Sequence, residues 1–177
     1  MIWVGKFDIN EISLIIMTFA AYLFVMVTPK KLSKEITCMS LLWGIGTGLV
    51  YDFTIGGGML DFYRENDTNH YELFDFFYYA LYGPFGYAFM YFYEVLKIRK
   101  KTFAYYVGGW AVVGVTAQWL FTILHIITYQ NNYSLPFSFP IFLLTQTITG
   151  LFYHYVTSVY PSGRLMQKEK IQQDKWD

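Results

Sequence analysis

Five long apolar stretches, separated by short polar or basic loops, limit this chain more than any other feature of its sequence. A helix needs about 20 mostly apolar residues to cross the roughly 30 Å hydrocarbon core of a bilayer. Such stretches run over 12–28, 36–60, 73–96, 103–128 and 139–160. Pro29-Lys30-Lys31-Leu32-Ser33-Lys34 ends the first, because proline cannot continue a helix and lysine resists burial in lipid. Lys97-Ile98-Arg99-Lys100-Lys101 divides the third from the fourth, and Asn131-Asn132-Tyr133-Ser134-Leu135-Pro136 is turn chemistry before the fifth. Composition agrees, since only 15% of the 177 residues are charged and 55% are apolar, whereas soluble domains run near one quarter charged. The expected fold is an all-α integral membrane protein of five transmembrane helices, one domain over 1–163 with a short polar tail over 164–177.

Charge sets the expected orientation. With five spans, both basic loops and the tail lie on one side, which then holds 11 of the 13 Lys and Arg residues; only Lys6 and Arg64 fall opposite. The positive-inside rule places the N-terminus outside and the C-terminus in the cytoplasm. The first residues, Met1-Ile2-Trp3-Val4-Gly5-Lys6, lack a basic start and a cleavage site, so they read as a retained anchor. Short loops fit a bacterial cytoplasmic membrane. A net charge of zero gives no field for nucleic acid, and Cys38 alone makes no disulfide framework.

In lipid, small and polar residues mark the faces that meet other helices. Gly44, Gly48, Asp52 and Gly56 recur every four residues along the second span. The fourth carries Ala111, Gly114, Gln118, Thr122 and His125, and the fifth Gln146, Gly150, His154 and Thr157. The third has Asp75, Tyr79, Tyr82 and Gly86, interrupted by Gly83-Pro84, which should kink it and leave a carbonyl unpaired. The first span has little polar content, so spans two to five should form the core with the first at its edge. Measured from the middle of each span, Asp52, Gln118 and Gln146 each lie about 4–6 Å outward of the midplane. A carboxylate and two amides from three helices are thus expected at one level, either as a site for a small solute, cation or proton or as hydrogen-bonded helix glue.

Secondary polar candidates are Asp75, His125, Glu94 and His154. The two histidines fall roughly 20 Å apart along the membrane normal, too far to clamp one haem. His154 is expected to meet a phenol or Glu94. His70, Asp61, Asp67, Glu72, Asp75 and His125 form an outer polar group without any spacing typical of metal ligands. Gly56-Gly57-Gly58 lacks the following Lys-Ser or Lys-Thr of a phosphate loop and reads as a helix end. No nucleophile stands beside a patterned base, so no catalytic residue, cofactor or metal is expected. The leading functional expectation is a non-enzymatic assembly, sensory or regulatory component, with membrane lipids and a membrane-protein partner or a second copy as its contacts. The alternative is a small-solute or proton-linked permeation subunit using Asp52, Gln118 and Gln146. A lipid-active enzyme comes third.

Overall fold

The computed structural model describes residues 8–65 and 73–159, and within these every side chain except that of Leu73. The retained-anchor segment, Asp67, His70, Glu72 and the tail over 164–177 lie outside the described residues. Five helices account for most of the rest: α1 (Ile9–Val27), α2 (Lys34–Thr54), α3 (Leu73–Val95), α4 (Lys100–Ile123) and α5 (Ser138–Val159). Two short strands, β1 (Tyr63–Glu65) and β2 (Ile127–Tyr129), interrupt the helical order.

Among the described residues, four helices are long and apolar enough to cross a membrane: α1, α2, α4 and α5 with its leading 3-10 turn over Leu135–Phe137. Their outward faces carry rows of large apolar side chains, such as Ile16, Phe19, Leu23 and Met26 on α1. A surface of that kind is unfavourable in water and suits lipid, so the molecule is compatible with a membrane protein. α3 is the exception, although it is 23 residues long. It holds Asp75, Glu94, Gly83, Pro84 and six tyrosines, which lower its hydropathy. The same helix is the most enclosed, with Tyr78, Leu81, Tyr87, Phe89 and Met90 all buried. A central helix meets protein on most sides, so it tolerates phenols that a lipid-facing helix would not.

α3 packs chiefly against α2 and α1, and α4 packs against α5, giving two groups of helices. Glycine sets the α2–α3 approach. A Cβ on Gly44 would collide with the Tyr82 carbonyl, and one on Gly86 would lie 2.6 Å from the Ser40 carbonyl oxygen. α1 covers the outer side of α3 and supplies what proline removes. Pro84 has no N–H to offer the Ala80 carbonyl one turn back, and the Tyr22 hydroxyl donates to that oxygen at 3.1 Å. Thr18 likewise donates to the Phe77 carbonyl at 3.2 Å.

The two groups join at both ends. Near the basic loops they are joined by aromatic rings: Phe89, Tyr93, Tyr106 and Tyr153 form one buried cluster, and Tyr106 donates to the Phe89 carbonyl. At the other end β1 and β2 pair antiparallel, with Tyr63 opposite Tyr129, Arg64 opposite Thr128 and Glu65 opposite Ile127. Alternation turns Tyr63 and Glu65 inward and Arg64 outward.

Helix ends differ from the expected spans where local chemistry competes with apolar length. α2 stops at Thr54 and not near Leu60, because the Gly56-Gly57-Gly58 run forms a chain of tight turns, with the Met59 amide donating to the Phe53 carbonyl. α4 stops at Ile123 and not at Thr128, because Ile127–Tyr129 joins β1.

Candidate functional site

The space between the two helix groups is a cavity with ≈ 100 Å³ of room for water. A single water needs about 10–15 Å³ on this measure, so the space holds several waters or one small organic molecule. Trp43, Thr47 and Tyr51 of α2 face it, as do Tyr78, Tyr82 and Phe85 of α3. α4 contributes Trp110, Ala117 and Gln118, and α5 contributes Phe142, Thr145, Gln146 and Thr149. Tyr63 and Ile127 close the strand end.

The wall is largely aromatic. Trp43 stacks on Phe152 with ring centroids 3.7 Å apart, while its indole N–H donates to Thr149 Oγ1 at 3.0 Å. Tyr51 stacks on Phe142, and Phe142 lies across Gly114, where a Cβ would come within 2.6 Å of its ring. These contacts tie α2 to α5 and α4 to α5 around the void. Among the described residues, no carboxylate, amine, guanidinium or imidazole lines the cavity. One polar atom of its wall is nevertheless without a partner among the described residues: Gln118 Oε1 is buried and makes no hydrogen bond, whereas the buried Tyr51 hydroxyl has Thr145 beside it. An unsatisfied buried acceptor or donor costs about 1–3 kcal/mol, which a guest with complementary groups would recover.

Of the three residues expected at one level, Gln118 and Gln146 reach this cavity and Asp52 does not line it. Asp52 lies beside the strands, where its Oδ2 accepts a 2.6 Å hydrogen bond from the Tyr79 hydroxyl of α3. The early end of α2 explains the difference. Asp52 stands two residues before Thr54 and about 12 Å from the helix middle at Gly44, much farther out than a span ending at Leu60 implies. Glu65 of β1 sits next to it. Burial, a hydrogen bond with Asp52 and the Asp52 charge together raise the Glu65 carboxyl from its usual 4.5 to about 10, so that it stays protonated at neutral pH. Glu65 Oε1 is buried without a hydrogen-bond partner.

The secondary candidates are dispersed. Asp75 is buried in the first turn of α3, and its charge reaches Glu65. His125 is exposed just past α4, in a left-handed conformation with φ of 56°. Glu94 accepts from the Tyr153 hydroxyl at 3.0 Å. Tyr153 occupies the place expected of His154, which is exposed on the next face of α5, because neighbouring residues on a helix point about 100° apart. Among the described residues no three His, Cys, Asp or Glu side chains gather as a metal ion would require.

Sequence reasoning missed Glu65, Tyr51 and the aromatic wall. Only the alternation Tyr63-Arg64-Glu65 could have marked Glu65 as inward, and three residues are too few for that signal to stand out. Comparison with known proteins gives no match to a protein-family model, to a curated protein or to a solved structure, so function is argued from the chemistry of the cavity.

Proposed function

We propose that the protein is a multi-pass protein of a bacterial cell membrane that binds a small, neutral, largely apolar molecule between its two helix groups. It crosses five times, with α3 enclosed by the other helices, the N-terminus outside and the C-terminus in the cytoplasm. The distribution of lysine and arginine supports that orientation. The observation that carries the binding reading is the pairing of an uncharged aromatic wall with the orphaned Gln118 Oε1. Among the described residues, an ion would find no counter-charge there. A molecule with an apolar body and a hydrogen-bond donor would satisfy Gln118, stack against Trp43 or Tyr51 and leave its charge-free surface against Phe142. This is a binding role with no covalent step.

The test is native mass spectrometry of the full chain, released gently from its own membrane, with extraction of whatever travels with it. Wild-type protein is expected to carry a neutral small molecule in near-stoichiometric amount. Ala117→Phe, which fills the cavity without touching the strand end, is expected to lose it while remaining folded. Wild-type protein free of any such molecule would contradict the reading.

A second reading, an assembly or regulatory component, is favoured by glycines on open faces. Gly46 and Gly109 are exposed, with nothing near the position of a Cβ, and small exposed residues in lipid permit close helix contact. A stoichiometric second protein in the same spectrum, lost in Gly109→Leu, would support it.

A further inference from the structure

Polar atoms are unevenly placed along the cavity, and α4 gives the scale. Trp110 and Gln118 both face the space from that helix, about 12 Å apart along its axis. Trp110 marks the end toward the basic loops, and Gln118 the end toward the strands.

At the Trp110 end the polar groups of the wall are engaged with one another. The Trp43 indole N–H donates to Thr149 Oγ1 at 3.0 Å, and that hydroxyl donates to the Thr145 carbonyl at 2.9 Å. The Thr47 hydroxyl donates to the Trp43 carbonyl at 2.7 Å. The Trp110 indole packs on the Phe89 ring and has the Tyr106 hydroxyl beside it. What this end offers a guest is Phe85, two indole faces and the Gly44–Gly86 contact. Toward the strands the wall changes character. Gln146 stands about 4.5 Å nearer the strands than Thr149 on α5, and Gln118 Oε1 is buried without a hydrogen bond.

One open acceptor at one end, with apolar surface along the rest, fits an elongated amphiphile lying parallel to the helices. The uncharged lining calls for a neutral head, and the ≈ 100 Å³ of room admits one slender chain. A hydroxyl suits the amide best. It both donates and accepts, so it satisfies Gln118 whichever way the carboxamide is turned.

We propose that the guest is a single-chain neutral alcohol drawn from the bilayer, with its hydroxyl on Gln118 Oε1 and its chain running toward Trp43 and Trp110. The inference rests on the binding role proposed above and adds the class of molecule and its direction in the cavity.

The test uses the full chain in lipid nanodiscs carrying Trp3→Phe, Trp119→Phe and Trp176→Phe, which leaves Trp43 and Trp110 of the cavity wall as the fluorescent reporters. Bromine quenches an indole that it touches. Two probes are titrated: decanol brominated at its terminal carbon, and decanol brominated on the carbon next to the hydroxyl. The terminal isomer is expected to quench several-fold more strongly. Gln118→Leu is expected to raise the concentration for half-maximal quenching by roughly tenfold, and Ala117→Phe to abolish the difference between isomers. Equal quenching by the two isomers in the protein with Gln118 intact would overturn the proposed direction, a result that stands even if Gln118→Leu does not fold. An unaltered titration in folded Gln118→Leu would overturn the hydroxyl contact. If equal quenching is lost in Ala117→Phe, the binding role survives without the direction. Quenching that Ala117→Phe leaves unchanged comes from the surrounding bilayer and, with no co-purified molecule, removes the binding role as well.

Discussion

At the scale of single residues, the clearest cause and effect is the pair Pro84 and Tyr22. Proline inside α3 frees the Ala80 carbonyl, and a phenol from another helix satisfies it. Loss of the hydroxyl in Tyr22→Phe should cost about 0.6–1.5 kcal/mol, the range for a hydrogen bond between membrane helices or in a protein core. In Pro84→Ala the helix can supply its own N–H, so Tyr22→Phe made on that background should cost little. Thermal unfolding of the four proteins in detergent measures the coupling. Glu65 makes a second prediction at this scale. Because its carboxyl is raised from 4.5 to about 10 in the folded chain, stability should decline as pH rises across that window, and the Glu65→Gln protein should decline less. Arg64 is the contrasting case. It lies 3.2 Å from Asp61 in an exposed pair, which holds the Asp61 carboxyl below its ordinary value. Solvent screens such pairs, so Arg64→Ala should leave the melting temperature unchanged.

Among the elements, the fit of α2 against α3 depends on where glycine stands and not on how many glycines there are. Gly44 and Gly86 touch the backbone of the opposite helix, so Gly44→Ala or Gly86→Ala should force the pair apart at a cost of about 1–3 kcal/mol. Gly46 has open space around it. There alanine should be neutral or stabilising by up to about 1 kcal/mol through helix propensity. Chemical denaturation of the three variants ranks them directly. The Gly44-Gly48-Asp52-Gly56 face was legible in the sequence because a four-residue repeat survives any uncertainty in helix ends. The depth of Asp52 was not legible, since it hangs on where α2 stops, and apolar residues 55–60 continue the hydropathy after the helix has ended. The strands were hidden for a similar reason. Ile127–Tyr129 extends an apolar run already assigned to α4, and a ladder of three pairs is specified by contact with a segment more than 60 residues away.

For the whole molecule, two helix groups held at both ends and bridged along one wall by the Trp43–Phe152 and Tyr51–Phe142 stacks account for the cavity. The aromatic composition, 22% of the chain, was legible but not its use: rings at the basic end close the groups together, and rings at mid-height surround open space. The amides of Gln118 and Gln146 were legible as inward-facing, whereas Tyr51 was hidden among many tyrosines with equal claim to an interface. Orientation supplies a prediction at this scale. A membrane-impermeant maleimide applied to intact cells should modify an Asp61→Cys variant and leave Cys38, exposed at the basic end, unmodified until the membrane is opened; the reverse pattern would invert the chain in the membrane.

The most direct test of the central claim is an experimental density map of the full-length protein in lipid nanodiscs, at a resolution that separates solvent from an organic guest. The account predicts density for a neutral non-protein molecule between the helix groups, in hydrogen-bond contact with Gln118 Oε1. A collapsed cavity in which Gln118 Oε1 is satisfied by a protein group, or one filled by ordered water alone, would contradict it.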